Sequence, residues 1–244
     1  IFMSDIFEEV VIAEAVRTPI GAYNGSLKAA KAHNLGSIVI KEVLKRSRIN
    51  IEEIDEVIMG QVLTAGTGQN PARQAAVDAG ISILKPAHIV NQVCGSGLRA
   101  VISGYQSIKL GEVKNVISGG QENMSMAPNL IFSQDKKKFS ENEMMDTMIY
   151  DGLTDAFYNY HMGVTAENVA EKFSITRDEQ DNFALKSQQK TQKAINQKKF
   201  EGEIVSVNFQ GKILIQDEHP RAGIQLIDLK KLKTVFKKNG TVTP

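Results

Sequence analysis

The chain has 244 residues, 29 Lys and Arg against 28 Asp and Glu, and one cysteine. A net charge of +1 gives no pull toward nucleic acid or an acidic membrane surface, and a single thiol excludes an internal disulfide and fits a reducing cytoplasm. With no basic segment leading into an apolar core and no apolar run near the ~20 residues that span a bilayer, the sequence predicts a soluble, cytoplasmic globular protein of one large or two modest domains.

In chain order, "VVIAEAV" (Val10–Val16) reads as a buried strand, ended by the turn signal of Thr18, Pro19 and Gly21. Leu35, Ile38, Val39 and Val43 share one face of a helix over Asn34–Leu44. "EVIMGQVL" (Glu56–Leu63) reads as a second strand. A short helix over Asn70–Gly80 has Asn70 as its cap, Pro71 at its first position and Gly80 at its end. "AHIVNQV" is a third strand. The helix marked by Leu98, Val101, Ile102 and Tyr105 closes at Gly111, before a fourth strand at "NVISGG". Strands alternating with helices predict a mainly parallel sheet covered on both faces.

Beyond Met124 the texture changes. Met124–His161 is rich in Met, Asp and Asn, weakly periodic, and carries the basic run Lys136–Lys138, which predicts a functional or oligomer-forming excursion. Thr176 and Glu179 form a capping-box pattern for a helix reaching about Lys198. "IVSVNFQGKILIQ" alternates and breaks at Gly211, like a hairpin.

The cysteine, Cys94, lies between the third strand and its following helix, in "IVNQVCGSGLRA". Free N–H groups of a helix N-terminus favour an anion, so a thiol placed there is favoured as the thiolate nucleophile. Gly95 and Gly97 let the backbone turn sharply and approach a substrate. The competing reading is a small buried hydrophobe.

Neighbouring residues separate the two. "VNQVCGSGLRAVISGYQSI" resembles the acyl-enzyme signature of the thiolase family. "AVRTPIGAYNGSL", "GQVLTAGTGQNPARQAA", "SGGQENMSMAP", "DTMIYDGLTDAFYNYHMGVTAENVA" and "TRDEQD" resemble further thiolase segments in the same order, so the likeness runs from about Val10 to Pro244. It implies an α/β layered fold of two similar halves, each a five-stranded mixed sheet between helices, with a loop domain inserted in the first half. On that pattern 1–123 is the N-terminal α/β domain without its last strand. Residues 124–244 are the loop domain for coenzyme A binding and oligomerisation, and the C-terminal half is absent.

The resemblance also implies roles. Cys94 takes the acyl group from acetyl-CoA or acetoacetyl-CoA. Leu153, His161 and Met162 line the pantetheine channel, and Arg221 in "HPRAG" meets the adenine. Coenzyme A enters as a substrate thioester, with no further cofactor and no metal. The assembly is a homodimer or homotetramer, with Ser133–Tyr150 as the assembly segment. By itself His161 reads as a surface or capping histidine. Lys230, Lys231 and Lys233 read either as attractors of the coenzyme A phosphates or as a solvated helix face.

Three groups of the family's centre have no counterpart in the sequence: a histidine in Gly-His-Pro, a second cysteine in Cys-x-Gly-Gly, and an asparagine of an oxyanion hole. The resemblance therefore implies a truncated or split thiolase that is inactive alone. A non-catalytic remnant binding thioesters and a ketoacyl synthase-type condensing enzyme are the alternatives; "NQVCGSG" and the coenzyme-A-type loop domain argue against the second.

Overall fold

β1 (Glu56–Gly60) is the central strand of a three-stranded parallel sheet in this computed structural model, which describes residues 9–131 and 144–244. The basic run Lys136–Lys138 and most of Ser133–Tyr150 lie outside the described residues. The chain divides into two compact units, one running to Pro128 and taking in Glu203–Gln216, the other made of Asn129–Gly202 and Asp217–Pro244.

In the first unit, β2 (Ala87–Val90) and β3 (Val116–Gly120) flank β1, with Val57 opposite Ala87 on one side and Ile117 on the other. Successive strand residues face opposite ways. Val57, Met59 and Ile117 enter a core with Ile40 of α1 (Ala32–Ser47) and Ala72, Ala75 and Ala76 of α2 (Pro71–Asp78). The small α2 side chains allow α1 to approach closely, and each large buried apolar residue contributes about 1.5–3 kcal/mol. Gly60 and Ser118 face the other way, toward α3 (Ser96–Lys109). Helices thus cover both faces, as the alternating pattern predicts.

α2 starts where the sequence places it: Asn70 Oδ1 accepts from Arg73 N–H at 3.1 Å, and Pro71 is the first helical residue. Val10–Val16 does not form the expected strand, and Val11 and Ile12 are exposed. A β-branched run is suited to a pleated surface but needs a neighbour to pair with. Among the described residues only an isolated bridge follows it, Arg17 to Ile204. On α3 the helix is as predicted, but the apolar residues that mark it are exposed, while Ser96, Ala100 and Gly104 are the buried ones.

The hairpin β6 (Val207–Phe209) and β7 (Lys212–Leu214) belongs to this first unit, although it follows the second unit's helices in sequence. Val207 is buried with Leu27 and Ala30. Gln210 and Gly211 both have positive φ, 50° and 76°, which makes the tight two-residue turn suited to a twisted hairpin.

In the second unit a short ladder pairs β4 (Asn129–Leu130) with β5 (Met145–Asp146). A π-helical turn, Met148–Leu153, follows, then α4 (Met162–Lys172), α5 (Arg177–Asn196) and α6 (Leu226–Lys230). The capping box forms as predicted: Thr176 Oγ1 accepts from Glu179 N–H while Thr176 N–H donates to Glu179 Oε2. Arg177 ties α5 to α6, pairing with Asp181 at 2.9 Å and donating from Nη2 to Leu229 O at 2.6 Å.

Candidate active site

β2 stops at Val90 and α3 starts at Ser96, so Asn91–Gly95 must turn the chain within a few residues. Val93 adopts φ 48°, a left-handed conformation that a β-branched side chain disfavours. Local hydrogen bonds hold it there. Val93 N–H donates to Asn91 Oδ1 at 2.9 Å, and Gly95 N–H donates to Gln92 O at 3.1 Å. The buried Ser96 hydroxyl donates to Val93 O at 2.6 Å and accepts from Gln92 N–H at 2.8 Å. Cys94 follows the strained residue and precedes Gly95, the N-cap of α3. Its thiol is exposed, so the buried-hydrophobe reading fails. Backbone strain of this kind is frequent at functional sites.

Glycines set the depth of this elbow. A Cβ on Gly60 would meet Ser96 C and lie 2.5 Å from Gly97 N and 2.6 Å from Ser96 O. Gly97 in turn faces Gly120 Cα across 3.9 Å from its own would-be Cβ. The first turn of α3 therefore rests on bare backbone at the ends of β1 and β3. Just beyond those ends, Gln121 Nε2 donates to Gln61 Oε1 at 2.9 Å, and Gln61 Nε2 to Leu63 O at 2.9 Å. Glu122 Oε2 accepts from Val62 N–H at 2.8 Å and Leu63 N–H at 3.2 Å. Its Oε1 is buried without a partner among the described residues. Burial pushes the Glu122 carboxyl above its usual range, against the lowering pull of the Val62, Leu63 and Asn123 N–H groups. None of this is visible in the sequence beyond the clustering of glycines and amides.

In the second unit, three of the four expected coenzyme A residues come together. Thr154 and His161 form an antiparallel bridge, and Leu153 and Met162 are the two residues immediately outside it, on the same side. Leu153 ends the π-helical turn, a feature frequent at functional sites. His161 is the N-cap of α4: its Nδ1 accepts from Gly163 N–H at 2.9 Å, so the neutral ring carries its proton on Nε2. The capping reading of this histidine is thus correct as local structure, and it leaves Nε2 available as a donor. Phe236 lies over the imidazole with ring centroids 5.0 Å apart and planes 18° apart. Its ring fills the notch left by Gly163, where a Cβ would collide with it. Phe236 escapes a sequence reading because it follows a lysine-rich stretch with no periodic apolar signal.

Arg221 sits elsewhere in that unit, beside α5. Its backbone N–H donates to Gln188 Oε1 at 2.8 Å, and the residue lines a cleft of about 430 Å³ with Gln188, Gln192, Asn196 and Gln225. Lys230 pairs with Asp178 at 3.1 Å and Lys231 with Asp228 at 3.4 Å, which is the solvated-face arrangement. Among the described residues no group of three or more His, Cys, Asp or Glu could hold a metal ion, and no helix is long and apolar enough to cross a membrane.

The structure thus sets an exposed thiol on a strained strand-to-helix elbow of a parallel α/β unit. The chain belongs to the thiolase family: residues 10–244 match the family described as thiolase, N-terminal domain. It is 51% identical over 238 residues to the acetyl-CoA acetyltransferase of Rhizobium meliloti (strain 1021), covering 96% of this chain and 61% of that protein. It is 47% identical over 240 residues to a probable acetyl-CoA acyltransferase of Staphylococcus aureus (strain COL), with the same two shares. The crystal structure of the Bacillus anthracis acetyl-CoA acetyltransferase superposes with a TM-score of 0.89 at 36% identity, covering 96% of this chain and 60% of that one. The chain thus spans about three fifths of the length of these relatives.

Proposed function

We propose that this chain carries the acyl-accepting part of a thiolase centre, in which Cys94 takes the acetyl group of acetyl-CoA as an acetyl-cysteine. The observation that carries the reading is the elbow: Cys94 is exposed at the start of α3, on a turn whose hydrogen bonds fix its backbone. In the acylation step the Cys94 thiolate attacks the thioester carbonyl. A new Sγ–C bond forms, the bond from that carbon to the coenzyme A sulfur breaks, and coenzyme A leaves as a thiolate that takes up a proton. Electrostatic help comes from the field of the α3 N-terminus.

The second unit is the coenzyme A side of this reading. Leu153, His161 and Met162 flank the pantetheine arm, with His161 Nε2–H as a donor to it. The amide-lined cleft at Arg221 suits a purine edge. Coenzyme A enters only as substrate thioester, without a further cofactor. A homodimer or homotetramer in the cytoplasm, assembled through Ser133–Tyr150, completes the proposal.

Condensation of two acetyl-CoA molecules, or its thiolytic reverse with acetoacetyl-CoA, also requires removing an α-proton and stabilising an enolate. Positioned acid–base groups supply about 10²–10⁴-fold, and each aimed oxyanion donor about 10²–10³-fold. This sequence holds no Gly-His-Pro and no second cysteine, so by itself it acylates without forming or cleaving carbon–carbon bonds. The test follows coenzyme A thiol release from acetyl-CoA, and thiolysis of acetoacetyl-CoA, by this chain alone and with a separately expressed thiolase C-terminal half. Slow release alone with thiolysis only in the mixture supports the proposal. Thiolysis by the chain alone would place the missing base within it and refute the assignment.

A further inference from the structure

Glu167 lies in the middle of α4, and its carboxylate is almost wholly buried at 4% exposure. A buried glutamate is costly unless its oxygens are satisfied, and here one short segment does so. Oε1 accepts from Thr241 N–H at 2.9 Å and Val242 N–H at 2.8 Å, while Oε2 accepts from Thr241 N–H at 2.9 Å and from the Thr241 hydroxyl at 3.2 Å. Gln180 Nε2 of α5 donates to the same hydroxyl at 2.9 Å. Gly240 permits the approach, because a Cβ there would collide with the Glu167 carboxylate. One turn further along α4, Glu171 pairs with Lys237 at 2.8 Å. The other end of this segment is Phe236, whose ring lies on His161 and in the notch of Gly163.

We infer that Glu167 is a positioning residue for the coenzyme A arm: by clamping Phe236–Val242 to α4 it holds the Phe236 ring flat on His161 and so fixes the direction of the imidazole Nε2–H. The inference rests on the reading of His161 as a pantetheine contact. At a rise of 1.5 Å per residue Glu167 is about 9 Å along the helix from His161, too far to touch what His161 touches, so it acts through Phe236. Among the described residues the His161 ring is otherwise held by one cap bond, accepted by Nδ1 from Gly163 N–H, which leaves the ring free to tilt about that contact. Phe236 removes that freedom, and Glu167 holds Phe236. A carboxylate is required because two backbone N–H groups and a hydroxyl converge on it; an amide would oppose one of them with its own NH₂ donors.

The test uses the complete chain and its variants Glu167→Gln, Phe236→Leu and the double substitution, with coenzyme A titrated by calorimetry and the His161 ring protons followed by NMR. Each single variant should weaken coenzyme A binding by about threefold to tenfold, the range of an aromatic pair. Each should also move the His161 ring-proton resonances, which sit in the ring current of Phe236. The double variant should bind no more weakly than the weaker single one, since both act through one contact. Additive losses, or Glu167→Gln with unmoved His161 resonances and unchanged affinity, would overturn the role of Glu167. If Glu167→Gln does not fold, Gly240→Ala displaces the same segment with the carboxylate in place, and the same shifts are required of it. Failure of the unmodified chain to bind coenzyme A would overturn the coenzyme A reading itself. Normal binding that weakens in His161→Ala but not in Glu167→Gln would overturn only this inference.

Discussion

Replacing Gly60 by alanine tests whether the elbow's position depends on bare backbone beneath it. The new Cβ would lie 2.5 Å from Gly97 N and 2.6 Å from Ser96 O, against an ordinary contact of 3.4 Å or more. Both neighbours are backbone, so no side chain can swing aside. The first turn of α3 must instead rise by roughly 1 Å, carrying Cys94 with it. Overpacking of this kind costs about 1–3 kcal/mol, with the upper end expected against a fixed backbone. For a chain of this size that lowers Tm by about 6–12 °C. A displacement of about 1 Å at a reacting atom costs on the order of 10²-fold in rate. The assay pairs a thermal melt with the rate of Cys94 acetylation by acetyl-CoA. Gly111→Ala is the control: its φ of 74° strains any side chain, but nothing lies within 4 Å, so it should cost ~1–2 kcal/mol and leave acetylation unchanged. Wild-type acetylation and Tm in Gly60→Ala would refute the claim that the glycine seat sets the elbow.

Glu122→Gln removes a carboxyl whose proton affinity is raised by burial. The folded state holds that proton more tightly than the unfolded state, so wild-type stability falls as pH rises from the ordinary glutamate range through the raised value. The variant should gain on the wild type over that window in urea melts; a pH-independent difference would contradict the assignment. Glu167 runs the opposite way. Burial pushes its carboxyl up, but the N–H groups of Thr241 and Val242, the Thr241 hydroxyl and the Lys237 charge outweigh it and hold the value below the ordinary range. Its contribution is therefore complete above the unfolded glutamate range and lost as pH falls through the depressed value, so wild type and Glu167→Gln should converge in acid. Thr176→Ala breaks the capping box of α5 and should cost ~1 kcal/mol in a denaturant melt, with Cys94 acetylation unchanged.

Local rules made some features legible in the sequence. Asn70–Pro71 and Thr176–Glu179 announced two helix starts because caps are satisfied within a few residues. The hairpin at Gln210–Gly211 was legible because its turn demands positive φ. The strand-to-helix placement of Cys94 was legible from the apolar strand before it and the helical spacing after it, whereas the positive φ of Val93 was not. Val10–Val16 misled, since β-branched composition reports compatibility with a sheet and not the presence of a partner strand. α3 was found from Leu98, Val101, Ile102 and Tyr105, yet its buried side is the small-residue side, which carries little apolar signal. The clamp from Glu167 to Thr241 and the stack of Phe236 on His161 join residues more than seventy positions apart. Such contacts arise from tertiary packing, and no local pattern encodes them.

The central claim is that Cys94 accepts the acyl group. Its most direct test is peptide mass mapping after incubation of the chain with acetyl-CoA. Lys85 precedes Pro86, so trypsin should release Cys94 within Gln74–Arg99. The account predicts one acetyl group on that peptide, located at Cys94 by fragmentation, removed by hydroxylamine and absent in Cys94→Ser. An acetyl group on any other residue, or equal labelling of Cys94→Ser, would contradict it.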